Sequence, residues 1–370
     1  MYIRYVFKLG LLVLFSAAVV CLFTACSEQQ VNKSELVIST TALNIDKPQA
    51  DTSEEKEHTD PASHKSFGSG ITETYVVLNS EGTVINGDGV SFKNNVLTVT
   101  KGGNYYLSGQ LTNGRICVSS TDVKKPVRLH LDGVTVSCDE GAPLLIADSP
   151  LQTVIVLYDD TVNSFSDMAD KKAEEGSTDT ASVIHCEDEL QIEGEGVLDI
   201  SAELGKGIYS QKSISILDGY IHIDAPQHSG IDCDSSVSMT DGTVVVFGSP
   251  NENESAISCD GKFNVSDGTL LVAGNNVGAQ SVTGTDEVNV LTYTLDKNEK
   301  GLGVIAEQDG EVVAGFKAPE GFSRILLASE ELESDETYSL YKGGSIAGEE
   351  YKGVYFDAQY KAGTLVGVLS

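Results

Sequence analysis

The segments ISILDGYIHID (residues 214–224), VSMTDGTVVVF (237–247) and FNVSDGTLLVA (263–273) align on a shared Asp-Gly, and each reads as strand, acidic-Gly turn, strand. LQIEGEGVLDIS (190–201) and VRLHLDGVTVS (127–137) extend the series toward the N-terminus. The turn glycines Gly196, Gly219, Gly242 and Gly268 recur about every 23 residues, and the polar stretch 166–180 stands where Gly133 is out of step with them. A second, shorter apolar alternation follows in each unit: SVIHCED, GKGIYSQ, SGIDCDS and SAISCDG. Alternation puts Ile184, Ile208, Ile231 and Ile257 on one face, with Cys186, Ser210, Cys233 and Cys259 two residues later on the same side. A short fixed period with strands and no helical periodicity predicts an all-β fold, a right-handed parallel β-helix over residues 71–285. Each coil buries its apolar face against the coils above and below, and the hand follows the usual crossover rule. Residues 286–370 read as a smaller β-rich unit.

Outside this repeat the chain changes character. Arg4 and Lys8 precede an apolar run from Leu9 to Phe23, too short to span a bilayer comfortably, which ends at small residues before a cysteine. Residues 1–25 read as a signal peptide. Leu22-Phe23-Thr24-Ala25-Cys26-Ser27 resembles a bacterial lipobox, with Phe23 where Leu is usual, and this resemblance implies an acylated Cys26 and a lipid-anchored protein on the extracytoplasmic face of the cell membrane. Residues 26–70 are rich in Ser, Thr, Asp, Glu and Lys, poor in large apolar side chains, and read as a tether. Five cysteines follow without the paired spacing of a disulfide framework or zinc site, and read as buried packing.

Charge narrows the partners. The chain carries 55 Asp+Glu against 24 Lys+Arg, a formal charge of −31. Such a field repels nucleic acid and anionic membrane surfaces, so a partner must be neutral, cationic, or a polyanion reached through bridging cations.

Two outward columns could meet a ligand. His185, Tyr209, Asp232 and Ser258 fall on the outer face of the short strands; Asp199, His222, Val245 and Leu271 fall on the strand after the Gly turn, with Tyr220 at the turn's exit. Tyr and His rings among hydrogen-bonding groups suit a sugar, which offers both apolar C–H faces and hydroxyls. The candidate carbohydrate-binding residues are therefore His185, Tyr209, Asp232, Tyr220 and His222. There is no Trp to build a broad flat platform. The acids of the Gly turns, Asp132, Glu195, Asp218, Asp241 and Asp267, admit two readings: turn chemistry, or a row of calcium sites.

VLTVTKGGNYYLSGQLTNGRICV, RLHLDGVTVSCDEGAPLLI, SVIHCEDELQIEGEGVLDIS and the Gly-Ile-x-Cys/Ser strands resemble the bacterial carbohydrate-binding β-helix family of clostridial surface proteins, over about residues 71–345. The resemblance implies a polysaccharide-lyase-like architecture, binding of cell-wall glycan such as cellulose or pectin, and calcium along the helix. One departure bears on calcium: where that family commonly reads Asp-Gly-Ile, this chain has Lys206-Gly207-Ile208, Ser229-Gly230-Ile231 and Ser255-Ala256-Ile257. Asp232, Asp234 and Asp260 remain as candidate metal ligands.

Catalysis is the rival reading, because lyases and pectin hydrolases share this architecture. A lyase needs a basic side chain to take a proton beside a carboxylate, yet no arginine lies between His130 and Ser323, and Lys206, Lys212 and Lys262 are the solenoid bases outside the polar insertion. A hydrolase needs two carboxylates at a set separation, which a chain this acidic offers many times over. A structural adhesin is the third class. The reading favoured by the residues is a monomeric, non-catalytic binder of extracellular polysaccharide.

Overall fold

The computed structural model describes residues 37–38, 73–167, 182–307, 312–361 and 363–369. Cys26, the signal sequence and nearly all of the tether lie outside these residues. Among the described residues the structure is all-β, with one short 3-10 turn, Ala279–Ser281, and no helix long and apolar enough to cross a membrane.

Strands stack in three parallel rows to make a solenoid. The short row runs from Val96–Val99 through Arg115–Ser119, Leu144–Asp148, Ser182–Cys186, Lys206–Ser210 and Ile231–Cys233 to Ile257–Cys259. The middle row includes Glu73–Asn79, Gly103–Leu111, the first half of Val127–Cys138, Thr153–Leu157, Leu190–Glu193, Ile214–Ile216, Val237–Met239, Phe263–Val265 and Val282–Gly284. The third row takes up the second half of Val127–Cys138 and continues with Val162–Asp167, Val197–Ser201, Tyr220–Asp224, Thr243–Phe247 and Thr269–Gly274. From Lys206 onward the chain visits short, middle and third row in turn.

Register is residue-on-residue. Leu144, Ile184, Ile208, Ile231 and Ile257 form one buried column, and Cys186, Ser210 and Cys233 another that ends at the partly buried Cys259. The five described cysteines are free, and burial pushes the Cys186 and Cys259 thiols up to about 12, so these side chains act as packing. The Asp-Gly turns follow turn chemistry: Asp218, Asp241 and Asp267 each accept the N–H of the following glycine, at 2.7, 2.7 and 2.6 Å. Gly219, Gly242 and Gly268 all have left-handed backbones, and a Cβ at Gly242 would stand 2.6 Å from the Gly219 carbonyl oxygen. In the turn before them the left-handed residue is Gly194, not Gly196, since the sequence Gly-Glu-Gly offers two choices.

The C-terminal region is not a separate module. Phe322–Ser329 pairs antiparallel with the last third-row strand, Thr269–Gly274, and Asn289–Glu299 pairs with Phe322–Ser329 in turn. A second sheet, ordered Val354–Lys361, Val312–Phe316, Gly303–Ala306, Ser339–Lys342 and Thr364–Val368, packs with them over the outer face of the third row. Val197, Tyr220, Val245, Phe247, Leu271 and Ala273 from the solenoid share one apolar cluster with Ile305, Phe316, Ile325, Leu340 and Phe356.

This packing corrects one expectation. Tyr220 and His222 point outward from the solenoid, but only 4% and 3% of each remains exposed, so neither meets a ligand. The hairpin Ser345–Tyr351/Val354–Lys361 turns through left-handed Lys352 and Gly353 and lays its tip on them. Lys352 Nζ sits 3.0 Å from Asp199 Oδ2, while His222 Nδ1 sits 3.1 Å from Asp199 Oδ1. Tyr351 packs edge-on against Tyr220, with ring centroids 5.8 Å apart. Burial raises the pKa of Asp199, but the His222 hydrogen bond and the charges of His222 and Lys352 more than offset it, leaving the carboxyl below its ordinary value.

Two outcomes follow from this packing. Ile231→Asp places an unpaired carboxylate in the apolar column and should lower the Tm by roughly 10 °C or more in a circular dichroism melt; a melt within a degree or two of the parent would show that the column is not buried. Asp224, at the edge of the covered face, is pushed up to about 6, chiefly by burial. A carboxyl whose folded pKa is raised holds its proton more tightly folded than unfolded, so its ionisation lowers stability as the pH rises from its ordinary range through about 6. Asp224→Asn should therefore raise the Tm at pH 7.5, with the gain vanishing near pH 4; an equal shift at both values would contradict it.

Candidate functional site

The outer face of the short row remains partly exposed, and its central rungs bring chemistry together. His185 stacks in register on Tyr209, and Tyr209 on Asp232 and Ser258 in turn, as the alternation of the repeats predicts. The His185 and Tyr209 rings lie 5.0 Å apart at 46°. Ser182 Oγ is 3.2 Å from His185 Nδ1, which orients the imidazole. The phenol O–H of Tyr209 donates to Asp234 Oδ2 at 2.8 Å, so the ring is braced at both its face and its tip. Burial, with that carboxylate, pushes the phenol up to about 12, and Tyr209 stays a neutral donor at every physiological pH.

Lys206, which the sequence offers only as one of three solenoid bases, borders this surface as well. Its ammonium lies 4.8 Å from the Tyr209 ring centroid and forms an ion pair with Asp232. The signal was present: Lys206 and Tyr209 straddle Gly207-Ile208 on a single strand, and Asp232 is one period on. The Lys206 strand is held at its entry by Asp167, a buried carboxylate that accepts the backbone N–H groups of Glu203, Leu204 and Gly205 at 2.5, 3.0 and 2.8 Å. Burial raises the pKa of Asp167 and those three hydrogen bonds pull against it. At the foot of the face Lys212 pairs with Asp188 at 2.5 Å.

The arrangement is therefore a rung-by-rung surface of imidazole, phenol, ammonium and carboxylate in which Lys206 is matched by Asp232. It offers hydrogen-bond donors and acceptors beside half-exposed rings, the chemistry that a neutral polyhydroxylated ligand requires. Asp232 is taken by Lys206 and Asp234 by Tyr209, Asp260 is exposed on the next rung, and no three of His, Cys, Asp and Glu among the described residues come together as a cation site. Of the five residues expected to face sugar, His185, Tyr209 and Asp232 share this surface and Tyr220 and His222 lie beneath the C-terminal sheet.

Comparison with known proteins gives the family. Over 143 residues the chain is 29% identical to a carbohydrate-binding domain-containing protein of Acetivibrio thermocellus, a match over 38% of this chain and 49% of the relative, so this chain spans about half the length of that protein. A solved structure of a polysaccharide lyase-like protein from C. thermocellum, a gadolinium derivative, superposes with a TM-score of 0.43 at 20% identity, covering 58% of this chain and 97% of the other. Residues 93–343, well over half the chain and including the three rows apart from the first middle-row strand, match a family model, and the chain belongs to the family of carbohydrate-binding domain-containing proteins.

Proposed function

We propose that this protein is a non-catalytic, lipid-anchored cell-surface binder of extracellular polysaccharide, and that its three-row solenoid is a right-handed parallel β-helix whose short-row face, centred on His185, Tyr209 and Asp232, holds the glycan. The observation that carries the site is the register of these three side chains on successive rungs of a partly exposed face, braced by Lys206, Asp234 and Ser182. Rungs repeat at ~4.8 Å, comparable with the length of one hexose in an extended glycan, so successive sugars of a chain lying along the solenoid meet equivalent positions. Membership of a carbohydrate-binding family supports the ligand class.

The state of the lysines favours binding over elimination chemistry. A lyase base must be able to take up a proton, and here the Lys206 ammonium is paired with Asp232 while the Lys212 ammonium is held charged by its hydrogen bond to Asp188, which raises its pKa. Charge sets a condition on the ligand: an acidic glycan meets a chain of formal charge −31 and needs mobile cations between the two.

Affinity electrophoresis of the full chain through polygalacturonate and through a soluble neutral glucan tests the reading. Tyr209→Ala should reduce retention several-fold with little change in Tm. Calcium chloride should strengthen polygalacturonate retention and EDTA abolish it, with the glucan indifferent to both. Parent protein that runs unretarded through every glycan, or unsaturated product absorbing in the ultraviolet on incubation with polygalacturonate, would reject non-catalytic binding. Localisation is tested separately: Cys26→Ala should abolish labelling by a clickable fatty acid in cells and release the protein from the membrane fraction, and an unlabelled parent would refute the anchor.

A further inference from the structure

The middle row carries a different surface near its N-terminal end. Tyr75, Tyr106 and His130 occupy one column in direct register on three successive rungs, and all three are half-exposed. Their rings stack along the solenoid axis: Tyr75 on Tyr106 at 4.8 Å and 14°, Tyr106 on His130 at 4.4 Å and 18°. Tyr158 closes the stack edge-on to His130 at 5.9 Å. Beside the rings runs a chain of polar side chains. Asn104 Oδ1 lies 3.2 Å from His130 Nε2, Arg128 pairs with Glu193, Gln191 donates to Glu193 at 2.5 Å, and Gln152 donates to Gln191 at 3.2 Å. On the other flank, Val77 and its cross-strand partner Val84 are apolar yet 38% and 62% exposed.

Nothing about a solenoid rung demands rings on this outer face. Further along the same row the outward positions are Ser215, Ser238, Asn264 and Thr283. The aromatic groups are gathered on the first rungs, with exposed valines on one side and amides on the other. Because the rings stack on one another, they turn edges rather than faces outward, repeating at the rung spacing of ~4.8 Å. His130 Nδ1 is buried without a partner, and burial with the neighbouring Arg128 charge lowers the imidazole to about 4, so it adds no positive charge. Arg128 is likewise matched by Glu193. A face with apolar, amide and phenolic groups and no excess of cations is suited to an uncharged polyhydroxylated chain and offers an acidic one no attraction.

We propose that this face, built on Tyr75, Tyr106 and His130, is a second polysaccharide-binding surface that takes an extended, neutral glycan laid along the solenoid axis. The inference rests on the carbohydrate-binding reading above but not on the short-row site. The two surfaces stand on different rows, so one molecule can engage two glycan chains or two stretches of one chain, with the gain in retention that linked sites give.

The test uses the full chain and hydroxyethyl cellulose as the neutral probe, with polygalacturonate plus calcium as the acidic one, in affinity electrophoresis. The double variant Tyr75→Phe/Tyr106→Phe keeps the stack and removes the hydroxyl edges; Tyr106→Ala removes the central ring. Both should weaken hydroxyethyl cellulose retention by roughly five- to tenfold, the scale of lost hydrogen bonds, and leave polygalacturonate retention as in the parent. Tyr209→Ala combined with the Phe pair should weaken hydroxyethyl cellulose retention further than either alone. The double Phe variant must melt with the parent, which separates binding from packing if Tyr106→Ala fails to fold. Unchanged hydroxyethyl cellulose retention in the double Phe variant, with Tyr209→Ala still impaired, would overturn the second surface and leave the short-row reading standing. A parent that retains no glycan overturns both.

Discussion

Everything placed on this molecule depends on one constraint, the stacking of like positions at a single inter-strand spacing. Each rung has its inward Ile or Leu over that of the rung below, and the backbone hydrogen bonds of parallel strands tolerate no slip that would turn the column outward. The apolar column is buried throughout, with Ile184, Ile208, Ile231 and Ile257 essentially without solvent contact. Once this register is set, the outward residues are set too, so any three outward side chains one period apart become neighbours. That is how His185, Tyr209 and Asp232, separated by 20 or more residues in the chain, come to share a surface, and how Tyr75, Tyr106 and His130 come to stack.

A solenoid of three rows has three outer faces, and this chain treats them differently. The third row is sealed by the C-terminal strands, at a cluster as apolar as the interior and bound at its polar edge by Lys352, Asp199 and His222. The short and middle rows keep half-exposed polar and aromatic side chains. The unpartnered Tyr220 and Tyr351 hydroxyls and His222 Nε2 within the sealed face show that it is closed by shape and apolar area more than by a complete polar network. Sealing one face leaves the outer faces of the other two rows partly open to solvent.

How much of this could be read beforehand follows from the range of the interactions. The period, the inward Ile and Cys columns and the His185–Tyr209–Asp232 register are written in local alternation and in a repeat of about 23 residues, so they were legible. The burial of Tyr220 and His222 was not, because alternation tells which way a side chain points and not what lies over it; their cover is a hairpin more than a hundred residues on. The middle-row rings escaped for a related reason. The N-terminal strands Glu73–Asn79 and Gly103–Leu111 share no Asp-Gly turn with the later ones, and so do not align with the repeats that reveal the rest. The Gly194 turn shows the finer limit: where two glycines are available, sequence alone does not say which takes the left-handed backbone.

The ends of the stack have a consequence of their own. At the N-terminal end, Val84–Asn86 and Val90–Lys93 pair antiparallel with the first middle-row and short-row strands, and at the other end Phe322–Ser329 does the same for the third row. A parallel stack with bare ends is a template on which further copies can add, rung upon rung, into a fibre. Here these terminal rungs meet strands of opposite direction. Those at the N-terminal end are only three and four residues long, and Lys93 ends one of them. At these rungs a second copy cannot continue the parallel pattern, so the stack closes on itself there.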